Sequence, residues 1–120
     1  MEENNLKQRT KKFALDVIKM VDSLPKTTIA HVIGKQLLRA GTSVGANYRS
    51  ACRARSTADL IAKMGIVEEE ADETLFWLEM LIECKKARVE ELTPMMDEAE
   101  QLLRIFAASR MTAKASVATR

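Results

Sequence analysis

Lys35, Arg39, Arg49 and Arg53 are the residues of this chain whose type and spacing most directly suggest chemistry. On a helix, at about 100° per residue, they fall within about 80° of one another. At the helical rise they line up over roughly 27 Å. Thr42, Ala46 and Ser50 stand between them, and no acid shares their face. Aligned cations on a rigid rod suit a run of phosphates, as in an RNA or DNA backbone. No aromatic side chain interleaves with them, so the stripe offers no platform for stacking bases. An ordinary solvated face and a docking site for an acidic protein are the other readings.

Other chemistries fare worse. The run Glu68-Glu-Glu-Ala-Asp-Glu73 places Glu69 and Glu73 on one helix face, which invites a metal. A di-metal carboxylate bundle also needs Glu-x-x-His pairs, and the single histidine, His31, lies elsewhere. The acids are therefore expected to form ion pairs or face solvent, and no metal or cofactor is expected. There is no Gly-rich phosphate loop, nucleophile elbow or His–carboxylate arrangement, so an enzyme is not expected. Cys52 and Cys84 lack CxxC spacing and read as free thiols of a reducing cytoplasm.

The chain has 120 residues, enough for one ordinary domain with a single core. Strong helix formers dominate it, with two prolines and four glycines. No apolar run approaches the ~20 residues that span a bilayer, so no membrane partner is expected. The opening Met1-Glu-Glu-Asn-Asn is too acidic and polar for a signal peptide. The net charge of +2 hides an asymmetry: residues 1–64 carry 12 Lys and Arg against 5 Asp and Glu, and residues 65–120 carry 7 against 12. One side of the molecule could therefore bind a polyanion although the whole is nearly neutral.

Apolar periodicity predicts four helices. The first spans Glu3 to Ser23, with a stripe of Leu6, Phe13, Val17, Met20, Val21 and Leu24, and ends before Pro25. The second spans Lys26 to Arg53. Gly41-Thr-Ser-Val-Gly45 has the composition of a loop, but Ile33, Leu37, Ala40, Val44, Tyr48 and Ala51 keep one phase through it, which favours a continuous helix. Ser56 and Asp59 form a capping-box pattern that opens the third helix, Thr57 to Arg88. Its core stripe is Leu60, Met64, Val67, Ala71, Leu75, Leu78 and Ile82. Thr93 as N-cap and Pro94 as first helical residue open the fourth, whose stripe is Met95, Ala99, Leu102, Leu103 and Phe106. Short connections between long helices predict an all-α, antiparallel, up-down-up-down four-helix bundle over residues 1–110. Residues 111–120 lose periodicity and read as a disordered tail.

Two features of these helices point outward. Gly34, Gly41 and Gly45 fall within about 40° of one another, although each interior glycine costs about 1 kcal/mol relative to alanine. Tight packing inside the monomer, a close subunit contact and a hinge would each account for them. From Leu75 to Ile82 only Glu79 is polar, and Phe76, Trp77 and Met80 lie off the core stripe. A helix that is apolar all round needs cover all round. That cover is a second copy of the chain, a different protein, or none if the patch is simply exposed.

The strings Gln36-Leu-Leu-Arg-Ala-Gly-Thr-Ser-Val-Gly-Ala-Asn-Tyr-Arg49, Ser56-Thr-Ala-Asp-Leu60 and Glu68-Glu-Glu-Ala-Asp-Glu-Thr-Leu-Phe-Trp-Leu78 closely resemble the bacterial 23S rRNA intervening-sequence protein family. The resemblance covers about residues 6–108. It implies an antiparallel four-helix bundle assembled as a ring-shaped homopentamer, with no general biochemical activity attached. The fold it implies also looks like that of the accessory protein of diversity-generating retroelements, a basic pentamer that binds nucleic acid and a reverse transcriptase. By that analogy the partners would be the chain itself, RNA or DNA, and a nucleic-acid-processing protein. Where many relatives carry a Glu after Asn-Tyr-Arg, this chain has Ser50-Ala-Cys52, which leaves the second helix more purely basic. The expectation is a cytoplasmic, non-catalytic scaffold or adaptor that binds nucleic acid through its first two helices, against a purely structural protein–protein module.

Overall fold

A computed structural model of the chain describes residues 2–119, with side chains from Asn5 onward, and places nearly all of them in four helices. These are α1 (Glu2–Asp22), α2 (Thr28–Ala51), α3 (Thr57–Glu83) and α4 (Val89–Ala118). Met1 and Arg120, at the outer limits of the predicted bundle and tail, lie outside the described residues. The helices form a bundle 53 Å long and 22 Å across. Along the chain each helix packs on the next, while α1 meets α4 over only a short stretch.

Local chemistry sets most of the boundaries. The Thr27 hydroxyl accepts from the Ala30 N–H at 3.2 Å and starts α2. Helix α2 continues unbroken through Gly41–Gly45. Ser56 caps α3, its Oγ accepting from the Asp59 N–H at 3.0 Å. The Asp59 carboxylate reaches back one residue further than a capping box requires and accepts from the Arg55 N–H at 3.2 Å.

Three boundaries differ from the sequence expectation by more than two residues. Helix α3 stops at Glu83 instead of running to Arg88. Lys85 adopts a left-handed conformation, φ 62°, and the N–H groups of Lys85 and Lys86 turn back to the carbonyls of Ile82 (3.0 Å) and Leu81 (2.9 Å). That is a Schellman closure, usually carried by glycine, which is why no local signal announces it. Helix α4 starts at Val89 instead of Pro94, with Arg88 as N-cap and the Glu91 carboxylate accepting from the Arg88 N–H at 3.4 Å. The earlier start buries Leu92 completely. Pro94 then lies inside the helix on its exposed side, where water can solvate the carbonyl the proline leaves unpaired. Finally, α4 runs on to Ala118 where a disordered tail is expected. Alanine and lysine need no periodicity to remain helical, and Ala113 is buried.

The core runs the length of the bundle. Val17, Leu37, Val44, Val67, Leu78, Leu81, Leu92, Leu102 and Phe106 have no solvent exposure. Leu81 takes the buried place expected for Ile82, which is partly exposed. Tyr48 of α2 and Phe106 of α4 stack across the middle with ring centroids 5.7 Å apart. Two threonines, Thr10 and Thr74, are also buried. Each donates its hydroxyl to a carbonyl one turn back, Leu6 at 2.8 Å and Glu70 at 2.7 Å, so the core holds them without an unmet donor.

Candidate nucleic-acid interface

The site begins with how closely α1 and α2 approach. All three glycines of α2 face α1 of the same chain. A Cβ on Gly34 would stand 3.1 Å from Leu24 Cδ1, one on Gly41 2.7 Å from Val17 Cγ2, and one on Gly45 3.1 Å from the Thr10 carbonyl oxygen. The helices therefore touch through backbone at one end and through stiff β-branched side chains in the middle. Outside this line of contact runs a groove of about 350 Å³. Lys7, Gln8, Thr10, Lys11 and Ala14 form one wall, and Thr42, Gly45, Ala46 and Arg49 the other.

The stripe on α2 divides in two. All four cations are exposed, but α2 ends at Ala51 and Arg53 lies in the turn just beyond its C-cap Cys52. Arg39, however, is bound by two acids of α3: its Nη1 lies 3.3 Å from Glu70 Oε1, and its Nη2 pairs with Glu73. The acid-free face seen on α2 alone is thus incomplete at Arg39, because the neighbouring helix supplies the acids. Lys35, Arg49 and Arg53 make no ion pair with a described carboxylate. Arg49 projects to the groove, where it joins Lys7 and Lys11 of α1. Those two lysines form no part of the α2 stripe; their i,i+4 spacing was the available sign, but only the α1–α2 packing brings them to Arg49.

Part of the charge asymmetry is internal complementarity. Arg9 of α1 makes a two-pronged pair with Glu98 of α4, Nη2 to Oε1 at 2.7 Å and Nε to Oε2 at 3.1 Å. Arg110 of α4 holds Glu68 of α3 at 2.7 Å. Together with Arg39 these clasps bridge three flanks of the bundle, and the glycine contact closes the fourth. Each is partly exposed, so water screens it and its contribution to stability is small.

The apolar patch is smaller than the sequence suggests. Phe76 is half exposed, at 49%. Trp77 and Met80 are only partly exposed and pack against the monomer's own core. The Phe76 and Trp77 rings meet edge to face with centroids 4.8 Å apart. The Trp77 indole N–H donates to Glu73 at 3.1 Å, so one carboxylate ties the indole to Arg39.

That carboxylate should titrate low. The Trp77 N–H and, after it, Arg39 hold Glu73 below the usual glutamate range, against the opposing effect of partial burial. A depressed folded value means its stabilisation is present above the unfolded value and lost as pH falls through the folded one. Trp77 is the only tryptophan. Its emission is expected to change in one step below the usual glutamate range, and Glu73→Gln should abolish that step. A wild-type emission flat through acid pH, up to the point of unfolding, would refute the coupling.

Cys52 and Cys84 are not joined in a disulfide. No group of three metal-ligating side chains occurs among the described residues, and no helix there is long and apolar enough to cross a membrane.

The family model described as 23S rRNA-intervening sequence protein matches residues 2–108. The chain belongs to the 23S rRNA-intervening sequence protein family. Among solved structures it is similar to one from Bacteroides thetaiotaomicron VPI-5482, described as a protein with unknown function from the S23 ribosomal protein family. The two are 32% identical with a TM-score of 0.86, over 92% of this chain and 99% of that one. No curated protein matches at a significant level. The intervening-sequence family match takes in all four helices and leaves only the last turns of α4 beyond it. Within it, the string Thr42–Arg49 contributes Gly45 and Arg49 to the groove, and Glu70–Leu78 contributes Glu73 and Trp77 to the clasp.

Proposed function

We propose that this member of the intervening-sequence family is a non-enzymatic, cytoplasmic scaffold or adaptor. In this reading an antiparallel up-down-up-down bundle assembles into a ring of identical copies and binds structured RNA or DNA through the outer face of α1 and α2. The observation that carries the reading is a set of exposed cations, Lys7 and Lys11 on α1, Lys35 and Arg49 on α2 and Arg53 in the turn just after it, with no ion pair to a described carboxylate. The α1 partners of Gly34, Gly41 and Gly45 fall from Val21 through Val17 to Thr10 as α2 rises, which supports the antiparallel course. Self-association is supported by Phe76 and by Ile29 and Val32 of α2, all about half exposed. If α2 and α3 also run antiparallel, the pairing of Arg39 with Glu70 and Glu73 sets the α2 pair level with the Phe76–Met80 turn.

Fluorescence anisotropy with a labelled RNA hairpin and a labelled DNA duplex across a salt series tests the binding. Five neutralised phosphates would give a log–log salt slope of about −4 to −5. Charge reversal at Lys35, Arg49 and Arg53 should abolish binding, whereas absence of binding at low salt would sink the reading. Light scattering tests the ring, since a monomer at micromolar concentration contradicts it. The internal pairing of Arg39 favours a second reading, a protein–protein module with no nucleic-acid partner. A pull-down that enriches one protein despite nuclease treatment would support that alternative.

A further inference from the structure

We propose that the groove between α1 and α2 seats consecutive phosphodiesters of a nucleic-acid duplex, with Lys7 and Lys11 on one wall and Arg49 on the other. The inference rests on the reading of α1 and α2 as a nucleic-acid face, and it moves the centre of that face off the α2 stripe. Lys7 and Lys11 are one helical turn apart, about 6 Å along the axis, comparable to the separation of neighbouring phosphates on one strand. Arg49 stands across from them with its planar fork available for bidentate contact. Both walls also carry small residues, Ala14 on one and Gly45 and Ala46 on the other, so a backbone can approach closely.

The lining also says what is recognised. Among the described residues that form the groove none is acidic and none is aromatic. Three cations without a stacking surface select phosphate over base, and they favour a duplex, whose backbone is presented at regular intervals, over a single strand. The Thr42 hydroxyl is occupied by the Leu38 carbonyl at 2.7 Å, which leaves Gln8 as the neutral side-chain donor of the site. Binding is therefore expected to be independent of sequence, with duplex RNA and duplex DNA both accepted.

The test uses the full chain and labelled 20-base-pair RNA and DNA duplexes of mixed sequence, followed by anisotropy across a salt series. Lys7→Gln with Lys11→Gln should flatten the log–log slope by about 2, and Arg49→Gln by about 1. Arg39→Gln, whose side chain is held by Glu70 and Glu73, should leave the slope unchanged. Thermal melts by circular dichroism that match the parent would assign these changes to binding. If the groove variants keep the parent slope while Lys35→Gln with Arg53→Gln loses it, the groove assignment falls and the broader face survives. If neither duplex binds at low salt, both fall. A single strand of equal length, or polyglutamate, that binds as tightly as the duplex would overturn the choice of ligand.

Discussion

Phe106→Ala is expected to lower the unfolding free energy by about 3–5 kcal/mol. The ring has no solvent exposure and stacks on Tyr48. Those two residues belong to α4 and α2, which otherwise do not approach each other closely. Deleting the ring therefore opens a cavity at the centre of the bundle, bounded by rigid helices that can collapse only in part. Against a total stability of about 5–15 kcal/mol for a domain of ordinary size, such a loss is severe. Urea unfolding measures it directly. Phe76→Ala offers the contrast: that ring is half exposed and touches mainly Trp77, so less than about 1 kcal/mol should be lost from the monomer. Equal losses for the two rings would show that the core is not where the structure places it.

Gly41→Ala is expected to destabilise the bundle by about 1–2 kcal/mol, although alanine is the better helix former by about 1 kcal/mol. The new methyl would stand 2.7 and 2.8 Å from the two Cγ atoms of Val17 and 3.1 Å from its Cβ. A valine cannot swing away from such a contact, because its Cβ is part of it and its χ1 is stiff. The helices must separate instead. Gly65→Ala is the internal control, since the nearest side-chain atom there is Arg110 Cδ at 3.8 Å. With no more than an ordinary van der Waals contact to meet, the propensity term wins, and stability should rise by about 0.5–1 kcal/mol. Combining Gly41→Ala with Val17→Ala should give a double variant more stable than the sum of its parts by about 1 kcal/mol or more. Additive losses would mean that Gly41 is not pressed against Val17.

The helices were legible because apolar periodicity holds its phase over many turns, even through Gly41–Gly45 with its loop-like composition. Their ends were less so. Lys85 takes a backbone conformation that glycine usually signals, and the N-cap pattern of Thr93-Pro94 is locally stronger than Arg88, yet only the earlier start buries Leu92. The candidate site divides along similar lines. Lys35, Arg49 and Arg53 could be aligned on a single helical wheel. The capture of Arg39 by Glu70 and Glu73 could not, because those acids lie more than thirty residues further along. Nor could the meeting of Lys7 and Lys11 with Arg49, which depends on how closely two helices approach. A wheel shows which side chains leave the core stripe, but not which of them still pack in part against the core. Trp77 and Met80 are such residues.

The backbone contact at Gly45 has a further mechanical meaning. With the Thr10 carbonyl oxygen where a Cβ on Gly45 would meet it at 3.1 Å, α1 and α2 pack backbone against backbone there, and the pair is expected to move as one thick strut. On its other side α1 meets α4 over a short seam, where Arg9 clasps Glu98. Low-amplitude breathing of the molecule is therefore expected to open at that seam and to tilt the strut as a unit. Lys7, Lys11 and Arg49 all ride on the strut, so their mutual spacing is preserved while the rest of the bundle yields.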